Sequence, residues 1–264
     1  MKTSDIRGMW VHNQALSDSS AMWDAKADHF GDIPIPGDDH PLIRAILENA
    51  CLGNDKTVLD IGCGAGTYSL SLADRVSSVL GLDLSPCMVS LASSKAASMG
   101  ITNARYEVFD WFSGDIDGIG DGFDIVIAHM TPAISSYNSF MRMYGLVKES
   151  CFITRTVCRG DQVRKHICDS LGLEMPDASR DMSFMINLLW NLGEEPRIDY
   201  ESRPYESVVE ANVFAETCIR EFKDQLDPSN VSETDVADAV KELSEDGIIH
   251  LEGKWHVATL YFCR

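Results

Sequence analysis

Val58-Leu59-Asp60-Ile61-Gly62-Cys63-Gly64-Ala65-Gly66-Thr67-Tyr68 runs without interruption from an apolar stretch through three glycines into a helix start. Residues Thr57–Ile61 have the composition of a buried strand, and Thr67–Arg75 follow with helical spacing, Leu70 and Ala73 falling on one face. Glycine accepts positive φ and lets another group approach the backbone closely. A strand feeding a helix through such a turn presents backbone N–H groups to a ligand, although the same turn also serves plain helix packing. The flanking sequence decides between the two.

Outward from this stretch the chain alternates strand and helix. Val79–Leu84 is a second strand, Ser85 suits an N-cap, Pro86 the first helical turn, and that helix should run to Met99 before Gly100 stops it. Ala104–Phe109, Phe123–Ala128 and Ser150–Val157 read as third, fourth and fifth strands, with a helix over Ser135–Leu146. This order predicts an α/β fold, a doubly wound and mostly parallel sheet covered on both faces. Gly160–Leu171 and Asp181–Leu192 read as helices of an insertion after strand five. Arg197–Tyr205 is a candidate strand, and Ser207–Phe222 and Glu233–Glu245 are candidate helices, the second after an Asp227-Pro228-Ser229-Asn230 turn. Trp255–Cys263 is the last of seven strands, with Ile248–Leu251 expected to form a hairpin with it across Glu252-Gly253-Lys254. The expected organisation is a single domain over 1–264: an N-terminal helical lid (1–50), a core (51–172), a helical insertion with late elements (173–248) and a final strand (249–264).

Composition narrows the partners. With 41 acidic against 22 basic side chains, the net charge of -19 repels phosphate backbones and anionic headgroups, so neither nucleic acid nor membrane is an expected partner. Residues 1–20 contain no apolar core of the length a signal peptide needs, and no later apolar run reaches membrane-spanning length. Eight cysteines without CxxC or zinc-type spacing read as reduced thiols, which makes the cytoplasm the expected location.

Three strand ends carry carboxylates. Asp60 precedes the glycine turn, Asp83 ends the second strand about 20 residues on, where an acid accepts from both ribose hydroxyls, and Asp110-Trp111 follows the third. Asp110 offers an acceptor for an exocyclic amine beside a large ring that would wall an adenine slot. Each acid alone also reads as a cap or a turn residue. The third glycine, Gly66, comes one position too early for the dinucleotide pattern GxGxxG, which weakens the pyrophosphate reading, and the joint order indicates an adenosine ligand either way. In a doubly wound sheet the turn after the fourth strand, Ala128-His129-Met130-Thr131-Pro132-Ala133, faces that ligand. His129 is the available general base there, and it reads equally as a histidine that shapes the loop.

Val58 to Gly66 resembles the first motif of class I S-adenosylmethionine-dependent methyltransferases. Gly81-Leu82-Asp83-Leu84-Ser85 is similar to the second motif of that family, and Phe109-Asp110-Trp111 stands where its adenine acid stands. Trp23-Asp24-Ala25-Lys26-Ala27-Asp28-His29-Phe30 resembles the N-terminal segment of small-molecule members, so the likeness spans roughly Trp23 to Val157. It implies S-adenosylmethionine as cofactor, with the backbone of Gly62, Cys63, Gly64 and Gly66 at its methionine part and Asp83 at the ribose. Leu84 or Met88 would meet the adenine face and Asp110 the adenine amine, beside Trp111. Asp60 would anchor the loop or the cofactor's ammonium, and His129 would line the pocket as the candidate catalytic group. Trp23, Phe30, Thr131, Tyr137 and the Met182–Trp190 stretch are the expected acceptor pocket, although Trp23 and Phe30 read equally as a core staple. Members acting on amide or amine nitrogens of nucleic acids and proteins often carry Asn/Asp-Pro-Pro-aromatic after strand four; Met130-Thr131-Pro132-Ala133 departs from that and favours a small-molecule acceptor. No carboxylate cluster like that of catechol methyltransferases is present, so no metal is expected. The competing readings are a protein that binds the cofactor for regulation without turnover, and a nicotinamide-dependent oxidoreductase, discriminated by cofactor consumption and by dinucleotide binding.

Overall fold

The computed structural model describes residues 1–11, 20–227 and 229–264. In chain order the elements are α1 (Thr3–Met9), α2 (Ser20–Asp24), α3 (Ala27–Gly31), α4 (Pro41–Asn49), β1 (Gly53–Ile61), α5 (Thr67–Leu70), β2 (Val76–Asp83), α6 (Pro86–Ser98), β3 (Ala104–Val108), β4 (Phe123–His129), α7 (Tyr137–Gly145) and β5 (Val147–Arg159). They continue with α8 (Gln162–Leu171), α9 (Arg180–Asn191), β6 (Arg197–Glu210), α10 (Ala211–Phe222), α11 (Glu233–Glu242) and β7 (Ile248–Cys263). The seven strands form one mostly parallel sheet in the order β3-β2-β1-β4-β5-β7-β6. β1 runs parallel to β2 and to β4, β2 to β3, and β4 to β5. Strand order reverses between β1 and β4, so the chain leaves these two strands toward opposite faces and opens a crevice beyond their C-terminal ends.

Contacts divide the chain into two compact units. The first comprises 1–155, 181–199 and 258–264. Its core is built on Val58, Val79, Ile125, Ile127 and Phe152 of the central strands, against which α4 lays Leu42, Ile43, Ala45 and Ile46. His40 caps α4 by accepting from the Leu42 amide (3.3 Å), and Pro41 fills the first turn, where its missing N–H costs nothing. α6 starts in the same way, Ser85 Oγ accepting from the Met88 amide (3.1 Å) with Pro86 next to it, and stops at Met99 before Gly100.

The second unit comprises 156–180 and 200–257. α8, α10 and α11 enclose Ile167, Phe214, Cys218, Phe222, Val236 and Val240 together with Ile249 and Leu251 of β7. Asp161 caps α8 through the Arg164 amide (3.0 Å), and the Arg164 guanidinium pairs with Asp161 and with Glu221 (2.7 Å). In the Asp227–Asn230 turn the Asp227 carboxylate accepts from the Ser229 amide; Pro228 lies outside the described residues.

Several boundaries differ from the sequence reading. The helix expected over Thr67–Arg75 is a single turn followed by a 3-10 turn at Ala73–Arg75. β6 continues through the β-branched pair Val208-Val209 to Glu210, which shortens α10 to Ala211–Phe222. The hairpin expected across Glu252-Gly253-Lys254 does not form; Ile248–Cys263 is one strand. There the Gly160 amide donates to the Lys254 carbonyl (2.9 Å), and a Cβ at Gly253 would collide with the Gly160 backbone, so this glycine allows two chains to approach rather than one chain to turn.

Candidate functional site

The glycine turn folds back onto β2, the amides of Gly62 (2.7 Å) and Cys63 (3.0 Å) both donating to the Leu82 carbonyl. Gly62, Gly64 and Gly66 all have positive φ, at 66°, 52° and 72°. At Gly62 a Cβ would lie 2.6 Å from Thr131 Cβ, so the turn after β4 closes directly on the turn after β1. A Cβ at Gly64 meets no atom within 4 Å, which identifies the open side of the loop.

Asp83 ends β2 beside that open side. Its carboxylate accepts from the Gly64 amide (2.8 Å) and from the Ser85 amide (2.9 Å), tying the loop to the start of α6, while burial raises its pKa. Asp60 is only 2% exposed, and desolvation raises its pKa to about 7 against a helpful hydrogen bond from Ser69, with Asp83 adding to the rise. The Cys63 thiol is buried between these acids, and burial pushes its pKa up, so it is an inert packing group. Leu84 is half-buried, and Met88 is buried under the first turn of α6.

Asp110 accepts from the Phe112 amide (2.9 Å) and from the Ser113 hydroxyl. Burial raises its pKa, but these donors and Arg142 outweigh that and leave it lowered. Trp111 is buried; its indole N–H donates to the Ser139 carbonyl (3.1 Å) and the Arg142 guanidinium lies 5.6 Å from its ring, so the ring is held against α7.

At the end of β4, His129 pairs in register with Thr154 of β5, and the next residue, Met130, takes the left-handed conformation at φ 50°. A side chain of that size rarely adopts it, and such strain clusters at functional turns. The His129 ring centroid lies 3.8 Å from that of Tyr68 in α5 and 6.1 Å from that of His40. Thr131 is buried, and its hydroxyl accepts from the Ala133 amide (3.2 Å).

Of the expected acceptor-pocket residues, Trp23 and Phe30 are half-buried and meet edge to face at 6.3 Å, with Lys26 over the Trp23 ring. Tyr137 lies under Arg7, and its amide donates to the Trp10 carbonyl (3.0 Å). Met182 and Met185 are core side chains, whereas Trp190 is 63% exposed. Several residues here went unread in the sequence. Trp10 is buried against Phe140 and Phe184 and donates to Asp181 (2.8 Å), which faces Arg155 at 3.7 Å; Arg155 in turn donates to the Ile134 carbonyl. Asp24 also went unread: it accepts from Ser85 Oγ (2.5 Å) and the Cys87 amide (3.2 Å), fastening α2 to the start of α6.

A parallel α/β sheet with a glycine turn and two acids at its switch point defines a nucleoside-binding protein of the doubly wound class. Residues 52–201 match the family described as a methyltransferase domain. This covers more than half of the chain, and the protein belongs to that family, with the α/β fold of S-adenosylmethionine-dependent methyltransferases. The chain is similar to 2-heptyl-1-hydroxyquinolin-4(1H)-one methyltransferase of Mycobacteroides abscessus, 35% identical over 98 residues that cover 36% of this chain and 42% of that protein. It is similar as well to a 23S rRNA (uracil(1939)-C(5))-methyltransferase of Aeromonas hydrophila, 36% identical over 103 residues covering 35% of this chain and 23% of that one. The chain thus spans less than half the length of both relatives. Among solved structures, phosphoethanolamine N-methyltransferase 2 of Haemonchus contortus, in complex with phosphomonomethylethanolamine and S-adenosylhomocysteine, shares the fold at a TM-score of 0.51 and 16% identity, covering 100% of this chain and 60% of that one. Among the described residues no helix is long and apolar enough to cross a membrane, and no group of three or more His, Cys, Asp or Glu side chains has metal-binding geometry.

Proposed function

We propose that this protein binds S-adenosylmethionine at the crevice between β1 and β4 and transfers its methyl group to a small-molecule acceptor in the cytoplasm. The observation that carries the reading is the meeting of the Gly62–Gly66 loop, Asp60 and Asp83 at one end of the sheet in a chain of the methyltransferase-domain family. The residues fit the cofactor. The open side of Gly64 offers a flat backbone, Asp83 has two oxygens for a ribose once they exchange their amide partners, and the buried acids suit an ammonium. Bound there, the cofactor supplies an electrophilic methyl group on a sulfonium. The protein's part is to hold an acceptor in line with it and to exclude water. Thr131 and the strained Met130 turn fix one wall of that space, and His129, with Tyr68 against its ring, is the group able to take a proton from a hydroxyl or amine acceptor.

Relatives named for a hydroxyquinolone and for ribosomal RNA frame the choice of acceptor. The net charge of -19 and the Met130-Thr131-Pro132-Ala133 turn favour the small molecule over RNA. The test is formation of S-adenosylhomocysteine from S-adenosylmethionine with a panel of hydroxylated heteroaromatics and small amines in parallel with ribosomal RNA. Turnover on small acceptors alone is expected; turnover on RNA alone overturns the acceptor assignment.

A further inference from the structure

Among the described residues, the titratable groups that act on Asp60 are acids. Asp83 faces it from β2, Tyr106 from β3 and Cys63 from the loop, and Asp24 of α2 stands behind Asp83. Ser69 of α5 donates a hydrogen bond to the Asp60 carboxyl; its hydroxyl also lies 3.3 Å from that of Tyr106 and 3.4 Å from the Gly66 carbonyl, so the network reaches the last glycine of the loop. The ion pairs among the described residues involve neither Asp60 nor Asp83. A carboxylate that is 2% exposed and has no ion pair among the described residues is costly, and a second negative charge at Asp83 makes it costlier.

We propose that, below neutral pH, Asp60 stands protonated in the ligand-free protein and surrenders that proton when the ammonium of the cofactor's methionine part arrives. The inference rests on the cofactor reading above. The Asp60 O–H bond breaks, the proton passes to solvent, and the carboxylate left behind faces the ammonium, so the bound state gains one positive charge from the ligand and loses one proton. Burial, which raises the Asp60 pKa to about 7, sets where this happens. Lowering the pH from about 7 to about 5.5 leaves only a few per cent of the carboxyl ionised and weakens binding about tenfold.

The experiment is calorimetric titration of the full chain with S-adenosylhomocysteine, which carries the same ammonium, across about pH 5.5 to 7.5 and in two buffers of different ionisation enthalpy. Release approaching one proton per ligand at about pH 6, with affinity rising toward neutral pH, is expected. Asp60→Asn removes both effects, and Ser69→Ala, which takes away the hydrogen bond favouring the charged form, moves the pH midpoint upward. Should Asp60→Asn fail to fold, the proton count of the unaltered protein decides. Tight binding without proton release and with flat affinity overturns the inference and leaves the cofactor reading standing; absence of adenosyl-ligand binding at every pH overturns that reading and the inference with it.

Discussion

A methyl group added at Gly62 would meet the buried Thr131 side chain on a backbone already at φ 66°. Gly62→Ala therefore combines left-handed strain with overpacking and should cost about 2–4 kcal/mol by urea denaturation. Gly62→Ala with Thr131→Ala should recover part of that loss, because the second change removes the hydroxyl oxygen that stands nearest the added methyl group. Asp83→Ala removes the acceptors expected to hold the ribose and should weaken adenosyl-ligand binding by about 2–4 kcal/mol, read by calorimetry. Asp60 gives a pH prediction of definite sign. Its folded pKa of about 7 lies above the ordinary 3.8, so its contribution to stability is complete below about pH 4 and is lost as pH rises through 7. That loss is on the order of 4 kcal/mol, and Asp60→Asn should flatten it in denaturation curves between about pH 4 and 7. These acids and glycines were legible because they lie in one local motif. Trp10, Asp181 and Arg155 were not, since a hydrogen bond between residues 171 positions apart leaves no local pattern.

α6 is the element whose ends the sequence reading located best, because its signals are chemical: Ser85 caps, Pro86 starts and Gly100 follows the end. Ser85 is fully buried and serves both the Met88 amide and Asp24. Ser85→Ala should cost about 1–2 kcal/mol in thermal denaturation and leave the α2 segment more open to protease, whereas Ser85→Thr should retain most of the cap. β7 shows the opposite case. Glu252-Gly253-Lys254 has the composition of a turn, yet Gly253 is there because the Gly160 backbone passes against it. Composition records that a glycine is needed and not which of its two uses applies. Trp190 stands two positions from Leu188, on the opposite side of α9 from the buried Phe184 and Leu188, and it is exposed.

Across the whole molecule, the alternation of strand and helix led to the sheet because parallel neighbours need crossover helices. The division into two units left no such trace, since the second is assembled from 156–180 and 200–257 around an interruption. Its ionic centre is Arg164, held between the buried Asp161 and Glu221. Arg164→Met strands the Asp161 charge and should destabilise by about 3–5 kcal/mol, with hydrogen exchange rising in α8 and α10 while β1 and β4 stay protected. The central claim, that the crevice at β1 and β4 takes S-adenosylmethionine, is tested most directly by equilibrium binding. S-adenosylmethionine, S-adenosylhomocysteine and the nicotinamide dinucleotides should be titrated into the protein and into Asp83→Ala. Micromolar binding of the two adenosyl ligands alone, weakened in Asp83→Ala, is the predicted result; binding of a dinucleotide, or of none of these ligands, would contradict it.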